Sequence, residues 1–205
     1  NKFMSRILFF ATLISLTASG CKSNVETVEN TDAAGYTERY ERRKSDYAKE
    51  GKYVKLDPRG KLLEEAQYTN DTLDGYRILY YESGDTQIVE KYDMGTFSGF
   101  YKVFHPNGQK KLVGQYQNDK MTGKWRAYYE NGQLKEVVTF RNNNENGPFV
   151  EYYPNGNLKA EGTYLNGDFE HGELKLYDEN GNHSKTMMCN RGKCETTWQA
   201  ENSKD

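Results

Sequence analysis

"GKWRAYYENGQLKEVVTFRNNNENG" (Gly123–Gly147) is the stretch whose reading decides the fold. Its centre, "YYENGQLKE" (Tyr128–Glu136), has near twins in "FHPNGQKKL" (Phe104–Leu112) and "YYPNGNLKA" (Tyr152–Ala160). Outward from it, glycines recur at Gly51, Gly75, Gly99, Gly123, Gly147 and Gly172, four steps of 24 and one of 25. Three further series hold the same phase. Gly60, Gly84, Gly108, Gly132, Gly156 and Gly181 lie nine residues on. Leu56, Tyr80, Phe104, Tyr128, Tyr152 and Tyr177 lie five on, and Tyr68, Tyr92, Tyr116, Phe140, Tyr164 and Cys189 seventeen on. Four series in phase mark an internal repeat, which outranks every local signal.

Each unit reads as a β-hairpin, with aromatic and β-branched runs on both sides of a turn. The turn tips carry Gly60, Gly84, Asn107-Gly108, Asn131-Gly132, Asn155-Gly156 and Asn180-Gly181. Asn-Gly alone suggests a two-residue loop. Pro58, Pro106 and Pro154 argue against it, because proline has no N–H for the closing ladder bond. A type I turn closed by a left-handed glycine, a three-residue loop, accepts all three residues. It predicts the pairs Leu56–Leu62, Tyr128–Leu134 and Tyr152–Leu158, and farther from the turn Tyr101–Val113 and Trp125–Val137. Short polar joints such as "QNDKMT" and "RNNNEN" favour antiparallel neighbours. The expected fold is all-β: an extended, single-layer antiparallel sheet of about a dozen strands in six units spanning 51–199, followed by a disordered tail, 200–205.

Composition agrees. Hydrophobic residues make up only 35% of the chain, yet it holds 17 Tyr, 9 Phe and 2 Trp. Disordered chains are poor in aromatics, so rings that keep a polar edge replace an aliphatic core. A net charge of −2 demands no nucleic-acid partner.

The N-terminus differs. "NKFMSRILFFATLISLTASGC" places Lys2 and Arg6 before an apolar run, Ile7 to Leu16, that is too short to span a bilayer. Small residues then lead to Cys21, the order of a secretory signal. "LTASGC" resembles the end of a bacterial lipoprotein signal, although Ala18 stands where that family usually has Leu. The resemblance implies a signal peptide over 1–20, lipidated Cys21 and an anchored protein of the cell envelope, on the outer membrane or the periplasmic face. Residues 21–50 read as a flexible tether, with Tyr36, Tyr40 and Tyr47 spaced as on a short helix.

The unit Gly123–Gly147, with its order of Gly, aromatic, Tyr-Tyr, Asn-Gly, Leu-Lys, aromatic and Asn, resembles a MORN-variant repeat. The likeness covers 51 to about 190 and is best in the units at 99, 123 and 147. It implies a hairpin scaffold for protein or lipid contacts and offers no catalytic residues. Bacterial proteins of this kind are often labelled YwqK-family antitoxins, which implies as the alternative a protein that sequesters a toxin.

Cys189 and Cys194 flank the turn-like "NRGK", so a disulfide across the last hairpin is expected in an oxidising compartment. Zinc would need two more ligands, and no metal or cofactor is expected. His105 takes a Tyr slot of the repeat. His105, His171 and His183 form no triad, and no enzyme is expected. The candidate binding surface is the column Lys111, Lys135 and Lys159 beside the ring row Tyr80, Phe104, Tyr128 and Tyr152, a ladder suited to an envelope polymer. The expected partners are a protein or such a polymer, and the membrane through the lipid.

Overall fold

A computed structural model of the chain describes residues 24–201. The first strands are β1 (Val25–Thr31), β2 (Thr37–Arg43), β3 (Lys49–Leu56), β4 (Leu62–Thr69), β5 (Thr72–Tyr80) and β6 (Thr86–Asp93). The middle is β7 (Thr96–Phe97), β8 (Gly99–Phe104), β9 (Lys110–Gln117), β10 (Lys120–Tyr128), β11 (Leu134–Arg141) and β12 (Asn144–Tyr152). The chain closes with β13 (Leu158–Tyr164), β14 (Gly172–Tyr177), β15 (His183–Asn190) and β16 (Lys193–Gln199). All belong to one antiparallel sheet in chain order, β7 and β8 both pairing with β6. The described residues thus hold sixteen strands rather than a dozen, and no helix.

Two of the extra strands come from the segment read as tether or helix, and the others are the two-residue β7 and the last strand, β16. β1 and β2 form a hairpin of their own, and β2 pairs with β3. The carboxylate of Asp32 closes the turn by accepting from the N–H groups of Ala34 and Tyr36. Glu26–Arg42 and Glu29–Arg39 bridge the two strands. A short isolated helix is marginal in water, whereas the open edge of β3 offers a full ladder. That edge decides the conformation of residues 25–43. At the other end, Ala200 still donates to Ser184 O, so the chain stays bound past the predicted start of the tail. Residues 1–23 and 202–205, and with them the signal and Cys21, lie outside the described residues.

The Asn-Gly turns are three-residue loops. Gly132 N–H donates to Tyr129 O and Tyr129 N–H to Gln133 O, each at 2.9 Å, with Gly132 at φ 83°. Tyr128 faces Leu134, Leu56 faces Leu62 and Tyr152 faces Leu158. Farther from the turn the expected register is corrected by one residue. Trp125 faces Val138, not Val137, and Tyr101 faces Gly114, not Val113. Each of the six repeat hairpins carries one extra residue on its second strand, between Leu134 and Glu136 for instance, where Lys135 has no Cα partner. Such bulges bend a sheet.

The joints between units are tighter than the Asn-Gly turns. Thr69 pairs with Thr72, and Arg141 with Asn144. The two residues between are Asn70-Asp71 and Asn142-Asn143, all at positive φ. These are type I′ turns, whose twist matches the strands they join. The joint before β14 is longer and absorbs the single 25-residue step.

One face of the sheet is the core. The third residue of the first, fourth and fifth units, Tyr53, Trp125 and Phe149, is only 3–6% exposed. A large side chain there faces a small one across the hairpin: Tyr53 faces Ala66, Tyr101 faces Gly114, and Phe149 faces Gly162. The rings interlock along the sheet, with Tyr101, Tyr116 and Phe140 all within 6 Å of Trp125. A single layer can bury its face this way because large and small alternate and the bulges curve it inward.

Candidate functional site

Three surfaces could carry function: the inner aromatic face, the Asn-Gly edge and the outer face.

The inner face is chemically quiet. Burial first, and Glu90 next, raises the phenol pKa values of Tyr92, Tyr101 and Tyr116 above the ordinary tyrosine value. These hydroxyls therefore remain protonated at neutral pH. One unit breaks the apolar pattern. Where the first, third, fourth and fifth units put an aromatic opposite a smaller residue and the sixth puts Leu174 opposite Met187, the second puts Arg77 opposite Glu90. Arg77 bonds Glu64 at 2.7 Å and Glu90 at 3.1 Å. The hydrogen bond to Glu64 is the largest influence and raises the Arg77 pKa still further. Arg77 Nε donates to Glu64 Oε1 and Nη1 to Glu90 Oε2, which also accepts from the Tyr92 hydroxyl, so the charges of this triad are met within the sheet. Farther along, Glu136 faces Glu151, and burial plus this like charge raises the Glu136 pKa. Glu151 is taken by Lys159 at 2.8 Å.

The Asn-Gly edge is a ladder of hydrogen bonds between units. The Asn131 carboxamide accepts from Gln133 N–H at 3.0 Å within its own turn. It donates to Pro154 O of the next turn at 3.1 Å. Asn107 and Asn155 do the same, donating to Glu130 O and Glu179 O. Beside them Tyr81, Tyr129 and Tyr153 donate their hydroxyls to Phe104 O, Tyr152 O and Tyr177 O. His105 fills the same slot, buried, with Nε2 3.1 Å from Tyr128 O. These residues are committed to stacking one unit on the next.

The predicted binding residues are split between the faces. Lys111, Lys135 and Lys159 are exposed. Lys135 lies over the Tyr129 ring, and Lys159 bonds Glu151, which faces Glu136 on the inner side. Tyr128 and Tyr152 project from the outer side, since they stand an odd number of residues from the buried Trp125 and Phe149. The structure therefore places Lys135 and Lys159 beside Tyr129 and Tyr153 rather than beside the predicted ring row. Within that row, Tyr80 donates to Glu65.

Charge patterning along the chain reveals what the net value hid. Strands β8 to β11 contain eight Lys or Arg and one acid, Glu136. Lys102, Lys124 and Arg126 alternate with half-buried Tyr101 and buried Trp125 and so project outward. A windowed charge count would have found them.

At the C-terminal end Cys189 faces Cys194 across β15 and β16, and the two are joined in a disulfide. His183 stacks on Trp198 and His171 donates its backbone N–H to Thr163 O. Among the described residues no three His, Cys, Asp or Glu side chains are grouped to hold a metal ion.

Five segments, residues 49–70, 99–118, 121–142, 145–166 and 170–187, match the MORN repeat variant family and together span about half of the chain. The unmatched unit between the first two is the one with Arg77 and Glu90, yet it folds as the β5–β6 hairpin. No curated protein matches the sequence significantly.

Proposed function

The chain belongs to the MORN repeat variant family, and from that premise we propose that it is a non-enzymatic, exported scaffold. It is held at a bacterial envelope membrane by a lipid on Cys21 and binds a protein or polymer of that envelope along its repeats. The observation that carries this reading is the uninterrupted open sheet. Apart from the two-residue β7, which shares β6 with β8, each strand pairs only with its neighbours in the chain, so the array presents long periodic surfaces in place of an enclosed site. The signal-like order of residues 2–21 supports export. The first strand begins at Val25, and the three residues after Cys21 reach at most about 11 Å. An anchored protein would hold its first hairpin close to the bilayer.

Cell fractionation tests the anchor: Cys21→Ala is expected in the soluble fraction, and an unchanged membrane fraction would refute it. Crosslinking in intact cells followed by pull-down tests the role. Envelope components are expected. Recovery of one dominant small toxic protein would replace the scaffold with an immunity function.

A further inference from the structure

The outer face of the third and fourth units combines three features. First, its cations stand free of acids. Lys102, Lys124 and Arg126 have no carboxylate partner among the described residues, whereas Arg39, Arg42, Arg43, Arg59 and Arg77 are all ion-paired. The one acid in β8 to β11, Glu136, points inward. Second, two of the cations sit in an apolar row running across the strands. Val89 pairs with Lys102, Lys102 with Val113, Val113 with Arg126, and Arg126 with Val137. Third, two residues along each strand comes a ring on the same face, Phe104 beside Lys102 and Tyr128 beside Arg126. The next unit continues the ring row with Tyr152.

One cation and one ring thus recur per hairpin, which is about 9.6 Å, two strand spacings. A ligand that matches must be extended, and must carry one flat apolar surface and one negative group per repeat of that length. Duplex DNA presents a charge every ~1.7 Å of axis, far denser than this pattern. An extended glycan of alternating neutral and acidic sugars has the right form, because pyranose rings stack on aromatics and its carboxylates come once per disaccharide.

We propose that this outer face binds a linear anionic glycan bearing one carboxylate per disaccharide. Its sugar rings lie on Phe104, Tyr128 and Tyr152, and its carboxylates on Lys102 and Arg126. The identification of the polymer class rests on the envelope location proposed above, but the binding itself does not depend on Cys21.

The test uses the purified full-length chain and four probes. These are hyaluronan oligosaccharides, neutral chitin oligosaccharides of equal length, a single-stranded oligonucleotide, and vesicles of phosphatidylethanolamine with phosphatidylglycerol. Hyaluronan is expected to bind, and chitin at least about tenfold more weakly. Lys102→Ala and Arg126→Ala are each expected to weaken hyaluronan binding about tenfold, the scale of one charge-assisted hydrogen bond. Both side chains project outward and lack ion-pair partners, so an unchanged melting temperature will separate lost binding from lost folding. Lys135→Ala and Lys159→Ala, on the inner side, are expected to leave binding unchanged. Failure of hyaluronan to bind overturns the proposal. So does equal binding of chitin, preferential binding of the oligonucleotide or vesicles, or equal loss in the inner-side variants. A soluble Cys21-bearing chain that still binds hyaluronan would remove the anchor and leave the site standing.

Discussion

The Trp125 indole occupies the space over Gly114, so a β-carbon at Gly114 would overlap its ring atoms. The indole N–H has no acceptor among the described residues, so packing alone holds this ring. Gly114 is not at a positive φ, and its requirement is therefore steric. Gly114→Ala is expected to destabilise the chain by about 1–3 kcal/mol, the usual penalty for overpacking. Exposed Gln115→Ala should change little. Urea midpoints of the two variants decide the matter.

Asn131 works in two turns at once, and its two bonds can be separated. Asn131→Ala removes both and is expected to cost about 1–3 kcal/mol, at roughly 0.5–1.5 kcal/mol per neutral bond. Asn131→Asp keeps the acceptor for Gln133 N–H and loses the donor to Pro154 O, so its midpoint should fall between wild type and Ala. An Asp variant as unstable as Ala would mean that the link to the next turn carries the whole effect.

Arg77 holds two largely buried carboxylates. Arg77→Ala strands Glu64 and Glu90 and is expected to cost about 3 kcal/mol or more. Arg77→Tyr with Glu90→Ala and Glu64→Ile writes the ring pattern of the first and third units into the second one. Stability at or above wild type is expected for this triple variant in thermal unfolding.

The Glu136 carboxyl has a raised pKa in the folded state because of burial and then Glu151. The folded chain therefore holds this proton more tightly than the unfolded chain. Its stabilising contribution is complete below the ordinary glutamate range and is lost as pH rises through the raised folded value. Glu136→Gln is expected to stabilise at pH 7 and to match wild type near pH 4. Denaturation curves at the two pH values check this.

The disulfide closes a loop so short that the chain-entropy model gives it about 2 kcal/mol. Reduction is expected to speed amide exchange in β16 and β15 while leaving β9 to β11 protected. Uniform loss of protection would instead mean that the whole array unfolds as one unit.

These sites differ in how visible they are in the sequence. The loop at Tyr129–Gly132 can be derived because Pro106 and Pro154, in the twin units, rule out the shorter turn. The slip at Lys135 cannot, because nothing distinguishes the bulged residue from its neighbours and the hydrophobic pattern fits either register. The first hairpin is hidden for another reason. Tyr36 and Tyr40 suit a helix, and only the unpaired edge of β3, a tertiary feature, overrides that local spacing. The split of Lys135 and Tyr128 between faces follows from the same unseen bulge. The basic outer face disappears into a net charge averaged over the whole chain.

The ladder on the Asn-Gly edge has a consequence for how such a protein can grow. Every donor in it, from Tyr81 to Asn155, points toward the C-terminus, so each hairpin prepares a seat for its successor. Asp57 and Asp178 stand in the tyrosine slot of the first and last units, and each carboxylate turns back to accept backbone N–H groups within its own loop. The array therefore has a direction. A duplicated unit inserted between the fourth and fifth would find both a seat and a successor. Length in this protein is open to change from within.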